Sequence, residues 1–116
     1  MEYLLLIYAN ENDDPRPGTP EGDAFMNAYW AYTEEVQQKK LMQGSNALQP
    51  ISTATTVCVR DGKTQTTDGP FAETKEQLGG YYLLDCKDLD EAIEYAAKIP
   101  SAKHGTIEIR PIMKFD

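Results

Sequence analysis

Glu2-Tyr3-Leu4-Leu5-Leu6-Ile7-Tyr8 (EYLLLIY) is the stretch that decides how the chain folds. Seven residues are too few for an independent helix, and Tyr and Ile favour extended backbone, so the segment reads as a strand. Side chains alternate across a strand. Here both sets are apolar: Tyr3, Leu5 and Ile7 on one face, Leu4, Leu6 and Tyr8 on the other. Such a strand needs cover on both sides.

Gly80–Cys86 (GYYLLDC) repeats the pattern, with Tyr81 and Leu83 on one face and Tyr82 and Leu84 on the other. Between the two strands, Ala9–Gly18 is a polar loop holding two prolines. Thr19-Pro20-Glu21 opens a helix, with Thr as cap, Pro in the first turn and acids against the dipole. Phe25, Met26, Tyr29, Trp30, Tyr32 and Val36 follow at spacings of three and four, predicting an amphipathic helix to about Met42, ended by Gly44. Ser45–Ser52 reads as a connector. Thr53–Arg60 is a β-branched strand, Asp61-Gly62 a two-residue hairpin turn, and Lys63–Thr67 a polar return strand at an edge. Asp68-Gly69-Pro70-Phe71 is a turn, and Ala72–Leu78 is either a helical turn or an ordered loop. Asp88-Leu89-Asp90-Glu91 has the form of a capping box. It opens a helix whose apolar face is Leu89, Ala92, Ile93, Ala96 and Ala97, closed by Pro100. Thr106–Ile112 alternates and is the last strand.

The order β-α-β-(hairpin)-β-α-β predicts a ferredoxin-like α+β fold with an extra β-hairpin, its antiparallel sheet carrying both helices on one face. Two helices on one side leave the second apolar face bare, so a second copy of the chain is the expected partner, giving a homodimer.

The 116 residues predict one domain, 1–116. A net charge of −8 argues against nucleic acid and anionic membrane as partners, and no apolar run approaches a membrane span. The start lacks the basic region of a signal peptide, so two cysteines predict free thiols in a reducing, cytoplasmic setting. There is no phosphate-cradling glycine loop, dinucleotide fingerprint or nucleophile elbow, and no cofactor is expected. With one histidine and no close cysteine pair, no zinc or other metal site is expected. Asp68, Glu73 and Glu76 read as a solvated turn beside Lys75.

Four residues are candidates for chemistry. Asp68, on a turn at a strand end, is a general base or simply accepts bonds from its own turn. Glu108 and Arg110 alternate with Ile107 and Ile109. They therefore face away from the helices, as a substrate anchor or as one half of an ion pair, within the chain or across a dimer. His104, in a polar loop, is a second proton carrier or an exposed loop residue. An Asp68–Arg110 meeting at the open end of the sheet is the specific expectation. Cys58 and Cys86 read as buried small hydrophobes on inner strands. Tyr29, Trp30 and Tyr32 read as core, with a ligand pocket as the other possibility.

Thr67-Asp68-Gly69-Pro70-Phe71-Ala72-Glu73-Thr74-Lys75-Glu76 resembles the DGPF branch of the YCII-related superfamily. The opening strand, the Tyr-Tyr-Leu-Leu-Asp strand, Leu89-Asp90-Glu91-Ala92 and Gly105–Pro111 extend the likeness over nearly the whole chain. The resemblance implies a dimeric α/β barrel, in which two such sheets face each other. It brings no established activity. In YCII-type members a His–Asp pair is proposed as the active site. The long first helix here has no histidine, so that pair does not carry over as it stands. DGPF-type chains are often associated with extracytoplasmic-function sigma factors, which hints at regulation. Two functions are therefore expected. One is a homodimeric small-molecule-binding or regulatory protein. The other is a cofactor-free enzyme using acid–base chemistry on a small anionic or aromatic molecule, with Asp68 as base, Arg110 as anchor and His104 as second proton carrier.

Overall fold

The computed structural model describes residues 1–115. β1 (Glu2–Ala9) is a central strand, flanked by β5 (Gln77–Asp85) and β6 (Thr106–Pro111), and β2 (Met42–Ala47) lies outside β5. The sheet order is β2-β5-β1-β6, with every neighbouring pair antiparallel. α1 (Pro20–Gln38) and α2 (Leu89–Ala97) cover one face. Tyr3, Leu5 and Ile7 of β1 and Tyr82 and Leu84 of β5 are buried there, with Tyr32 and Val36 of α1 and Ala92, Tyr95 and Ala96 of α2. On the other face Leu4, Leu6, Tyr8, Tyr81 and Leu83 are only half-buried, because both helices pack on the opposite face. This is the ferredoxin-like α+β fold that the two-faced strands predict. No helix is long and apolar enough to cross a membrane among the described residues.

Both helices start as their caps dictate. Thr19 Oγ1 accepts from the Gly22 amide at 3.0 Å, and Asp88 Oδ1 from the Glu91 amide at 2.9 Å. Glu91 in turn accepts from the Lys87 amide. The end of α1 differs from expectation. It stops at Gln38, where Lys40 enters the left-handed region (φ 59°). The Lys40 amide donates to the Gln37 carbonyl and the Leu41 amide to the Val36 carbonyl, a Schellman closure built on lysine instead of glycine. Met42–Ala47 is then a strand, not a helix end and connector. The free edge of β5 supplies the hydrogen-bond partners that override its poor intrinsic preference.

The apolar stripe of α1 is narrower than its sequence suggests. Tyr32 and Val36 reach the core, Phe25 and Tyr29 are half-buried, and Met26 and Trp30 are 54% and 66% exposed. On α2, Tyr95 fills the core position while Leu89 and Ile93 lie half exposed.

β3 (Thr55–Arg60) and β4 (Lys63–Asp68) form a separate two-stranded sheet. Asp61 (φ 51°) and Gly62 (φ 73°) make the tight left-handed turn that Asp-Gly predicts. β3 starts at Thr55 because Ile51–Thr53 closes into a 3₁₀ turn. Residues 72–76 are an ordered loop, and β5 begins at Gln77.

Candidate functional site

The end of the sheet where β1 leaves and β6 enters brings together Asp14, Tyr29, Ser101 and His104. Pro100–Lys103 forms a 3₁₀ turn, closed by the Gly105 amide donating to the Ser101 carbonyl at 2.7 Å. Gly105 lies against the backbone of β1, so close that a Cβ would collide with the Tyr8 carbonyl oxygen. Ser101 is buried, and its Oγ lies 2.5 Å from the Tyr29 hydroxyl of α1. Burial raises the Tyr29 pKa, so the phenol keeps its proton at neutral pH. These ties fix the loop that carries His104.

His104 Nε2 lies 2.9 Å from Asp14 Oδ1, in the loop that follows β1. An ionised carboxylate only accepts, so Nε2 carries the proton and Nδ1 is left with its lone pair in the neutral ring. The Phe25 ring packs against the imidazole, with centroids 5.7 Å apart, and stacks edge-on to Tyr29 at 5.2 Å. The two side chains of the pair are 30% and 43% exposed, so a ligand can reach them. Alongside lies a depression of about 470 Å³ lined by Pro15, Glu21, Phe25, Pro100, Lys98 and Lys103. Its lining is mostly apolar, with two ammonium groups, Lys98 and Lys103, and one carboxylate, Glu21. Lys98 is partly engaged, 3.0 Å from Glu35 Oε2 and 4.9 Å from the centre of the Tyr95 ring. A His–carboxylate pair beside an apolar hollow can take a proton from a bound acid and return it.

Asp68 ends β4, exposed and opposite Thr55. The next residue, Gly69 (φ 101°), ties the turn down: its amide donates to the Ala54 carbonyl at 2.7 Å, and its carbonyl accepts from Thr56 Oγ1 at 2.7 Å. A second depression of about 400 Å³ lies between this turn, Glu11 and Gln77. Two of its polar side chains already serve the backbone. Glu11 accepts from the Ile51 amide, and Gln77 Oε1 from the Glu11 amide.

Glu108 and Arg110 are exposed on β6, the edge strand, beside Leu6 and Leu4 on the open face. Across the same face, Asn46 Nδ2 donates to the Tyr81 hydroxyl at 2.7 Å and Thr106 Oγ1 to Glu76 Oε1 at 2.9 Å. Asp68 and Arg110 stand in different sheets, and no ion pair involves either among the described residues. The expected meeting is therefore not made within one chain. His104 joins Asp14, not Asp68. Asp14 carries no functional signal in the sequence, where Ala9–Gly18 reads only as a polar loop. Its sole local signal is an acidic run ahead of Pro15, and the partner lies ninety residues on.

Both cysteines are free. Cys86 is buried just beyond β5, where burial and nearby acids push its thiol up to about 11. Cys58 is only half-buried, because β3 belongs to the separate hairpin and not to the inner sheet. Among the described residues, no three His, Cys, Asp or Glu side chains converge as metal ligands.

Comparison with known proteins places this geometry in context. An uncharacterised protein of Rhizobium meliloti (strain 1021) is 35% identical over 114 residues, covering 97% of this chain and 92% of the relative. A solved structure, 5-chloro-2-hydroxyhydroquinone dehydrochlorinase from Burkholderia phenoliruptrix AC1100 in complex with 2,5-dihydroxybenzoquinone, is similar with a TM-score of 0.54. That match covers 97% of this chain and 94% of the other at 15% identity, a likeness of fold. The sequence model of the YCII-related domain matches residues 1–116, and the chain belongs to the YCII-related domain family.

Proposed function

We propose that the chain is a homodimeric protein that binds a small, flat, anionic aromatic molecule and moves a proton on it. The observation that carries this reading is the His104–Asp14 pair, 2.9 Å apart, beside a mostly apolar hollow whose lining holds two lysines and one glutamate. Asp14 orients the imidazole and leaves Nδ1 to face a ligand proton. Lys103 is the anion anchor, a local positive charge on a chain of net charge −8. In this reading Asp68 takes no part in the chemistry, and Arg110 and Glu108 serve the open sheet face. The dihydroxybenzoquinone held by the structural neighbour supports the substrate class, as an analogy of fold.

The homodimer is supported by area. The chain exposes 8408 Å². A compact monomer of 13.0 kDa exposes roughly 6,300 Å² by the usual mass scaling. The surplus of roughly 2,000 Å² exceeds the ~800 Å² per partner of a standard interface. The half-buried Leu4, Leu6, Tyr8, Tyr81 and Leu83 supply the apolar part of it.

A second reading is a binder without turnover, the regulatory function that the sequence also allows. One experiment separates the two. Small hydroxyquinones, 2,5-dihydroxybenzoquinone among them, are titrated in D₂O and followed by NMR. Saturable binding with loss of the ring C–H signal, slowed roughly 100-fold by His104→Gln, supports proton transfer. Saturable binding without exchange supports the binder. A ligand set that gives no saturable shift at the His104 ring overturns both.

A further inference from the structure

The β3–β4 hairpin is built as if another surface were to lie on it. A lone two-stranded hairpin is marginal in water, yet this one pairs with no strand of the main sheet. Its two faces are unequal. One carries Thr56, Cys58 and Arg60 with Lys63, Gln65 and Thr67 across from them. The other carries Thr55, Val57 and Val59, with Thr66 opposite Val57 and Thr64 opposite Val59. Val57 and Val59 are 58% and 59% exposed in the single chain. This second face has an uncharged, β-branched centre, with Asp68 at one corner and Asp61 in the turn at the other end. An apolar centre with charge held to its rim is the pattern of a protein interface.

The molecule's shape agrees. The extents are 48 × 47 × 19 Å and the radius of gyration is 16.2 Å. A compact chain of this length has a radius near 13 Å by the usual scaling. The excess surface described above is more than a standard interface hides, so part of it is free to be contributed by the hairpin.

We infer that the Val57–Val59 face of this hairpin packs on a second copy of the chain, as an arm that clasps the partner in the homodimer. The inference rests on the dimer reading above and adds to it which element holds the two copies together. Six residues of β3 reach about 20 Å from the arm's base, enough to cross from one protomer onto another. By symmetry each copy gives one arm and receives one.

The test uses sedimentation of the full chain, wild type and Val57→Thr/Val59→Thr, at a series of micromolar concentrations. These are exposed β-branched swaps that leave the single chain's own contacts in place. Amide exchange of β3 and β4 in the wild type is a second measurement that does not depend on the variant folding. A wild-type dimer that the double substitution weakens at least tenfold in Kd, with arm amides that gain protection as dimer forms, supports the clasp. A wild-type dimer whose Kd shifts less than twofold, or whose arm exchanges at the same rate at every concentration, overturns the arm and leaves the dimer standing. A wild-type chain that stays monomeric overturns both.

Discussion

His104 Nε2 and Asp14 Oδ1 meet at 2.9 Å, joining the loop after β1 to the loop before β6 across ninety residues of sequence. One loop leaves the inner strand β1 and the other enters its hydrogen-bonded neighbour β6, so the pair is held by the two strands that bracket it. As a half-exposed pair it contributes little stability, under about 1 kcal/mol. Its consequence is orientation, since one ring nitrogen is committed and the other is free.

Asp14→Asn and His104→Gln separate these roles. Both variants keep an unfolding free energy within about 1 kcal/mol of wild type by urea unfolding. In the proton-exchange assay His104→Gln loses roughly 100-fold, the usual size of a general acid–base term. Asp14→Asn loses less, because the imidazole remains and only its orientation is relaxed. Equal wild-type rates in both variants would remove the pair from the chemistry.

The thiols give a pH-dependent readout. The folded pKa of Cys86 is raised from 9.0 to about 11, chiefly by burial. The folded state therefore holds this proton more tightly than the unfolded state. The stability that follows is fully present below about pH 9, is lost as pH rises from about 9 to 11, and changes no further above that. Urea midpoints between pH 8 and 11 should fall for wild type and fall less for Cys86→Ala. In the native state a thiol reagent at pH 8 should label half-buried Cys58 ahead of Cys86; the reverse order contradicts the placement.

Leu5 and Leu6 are neighbours with different fates. Leu5 is wholly buried under the helices, and Leu6 is half-buried on the open face. Leu5→Ala should cost about 2–5 kcal/mol of unfolding free energy at any protein concentration. Leu6→Asn should act mainly on association, with a stability loss that grows as wild-type dimer is populated. A concentration-independent effect of Leu6→Asn would count against the sheet-face dimer.

Gly105→Ala tests the scaffold beneath the site. The added methyl meets the Tyr8 carbonyl oxygen and crowds Ala9 and the Ser101 carbonyl. Overpacking of this kind costs roughly 1–3 kcal/mol. The expected result is a lower melting temperature and a His104 ring signal in the NMR spectrum that loses its single environment.

How much of this is legible in the sequence depends on range. Glu2–Tyr8, the Thr19 and Asp88 caps and the Asp61-Gly62 turn are local signals, and each is where the residues say it is. β2 is not legible, because Met42-Gln43-Gly44-Ser45-Asn46-Ala47 has no strand-forming pattern and owes its shape to the edge of β5. Met26 and Trp30 fit a helical stripe by spacing, but at 3.6 residues per turn they lie to one side of the Phe25–Tyr29–Tyr32–Val36 line that faces the core, and both stay exposed. The alternation that sends Glu108 and Arg110 to the open face is read correctly, while their distance from Asp68 is not. Strand order, which sequence alone does not state, sets that distance. The meeting of Asp14 with His104 is illegible for the same reason.

The strand order also has a consequence for synthesis. β1 is made first, yet its two hydrogen-bonded neighbours are β5 and β6, which begin only at Gln77 and Thr106. At roughly 5–20 residues per second the ribosome leaves this strand unpaired for several seconds. Glu2–Ala9 carries one charge among eight residues and is the kind of segment that sticks to others of its kind while it waits. The acidic and proline-rich run Glu11–Pro17 directly after it is a sequence brake on that pairing. Within that run Glu11 and Asp14 also hold folded contacts, with the Ile51 amide and His104. Removing the charge of Asp13 or the ring of Pro17 instead would be felt first as aggregation of the newly made protein.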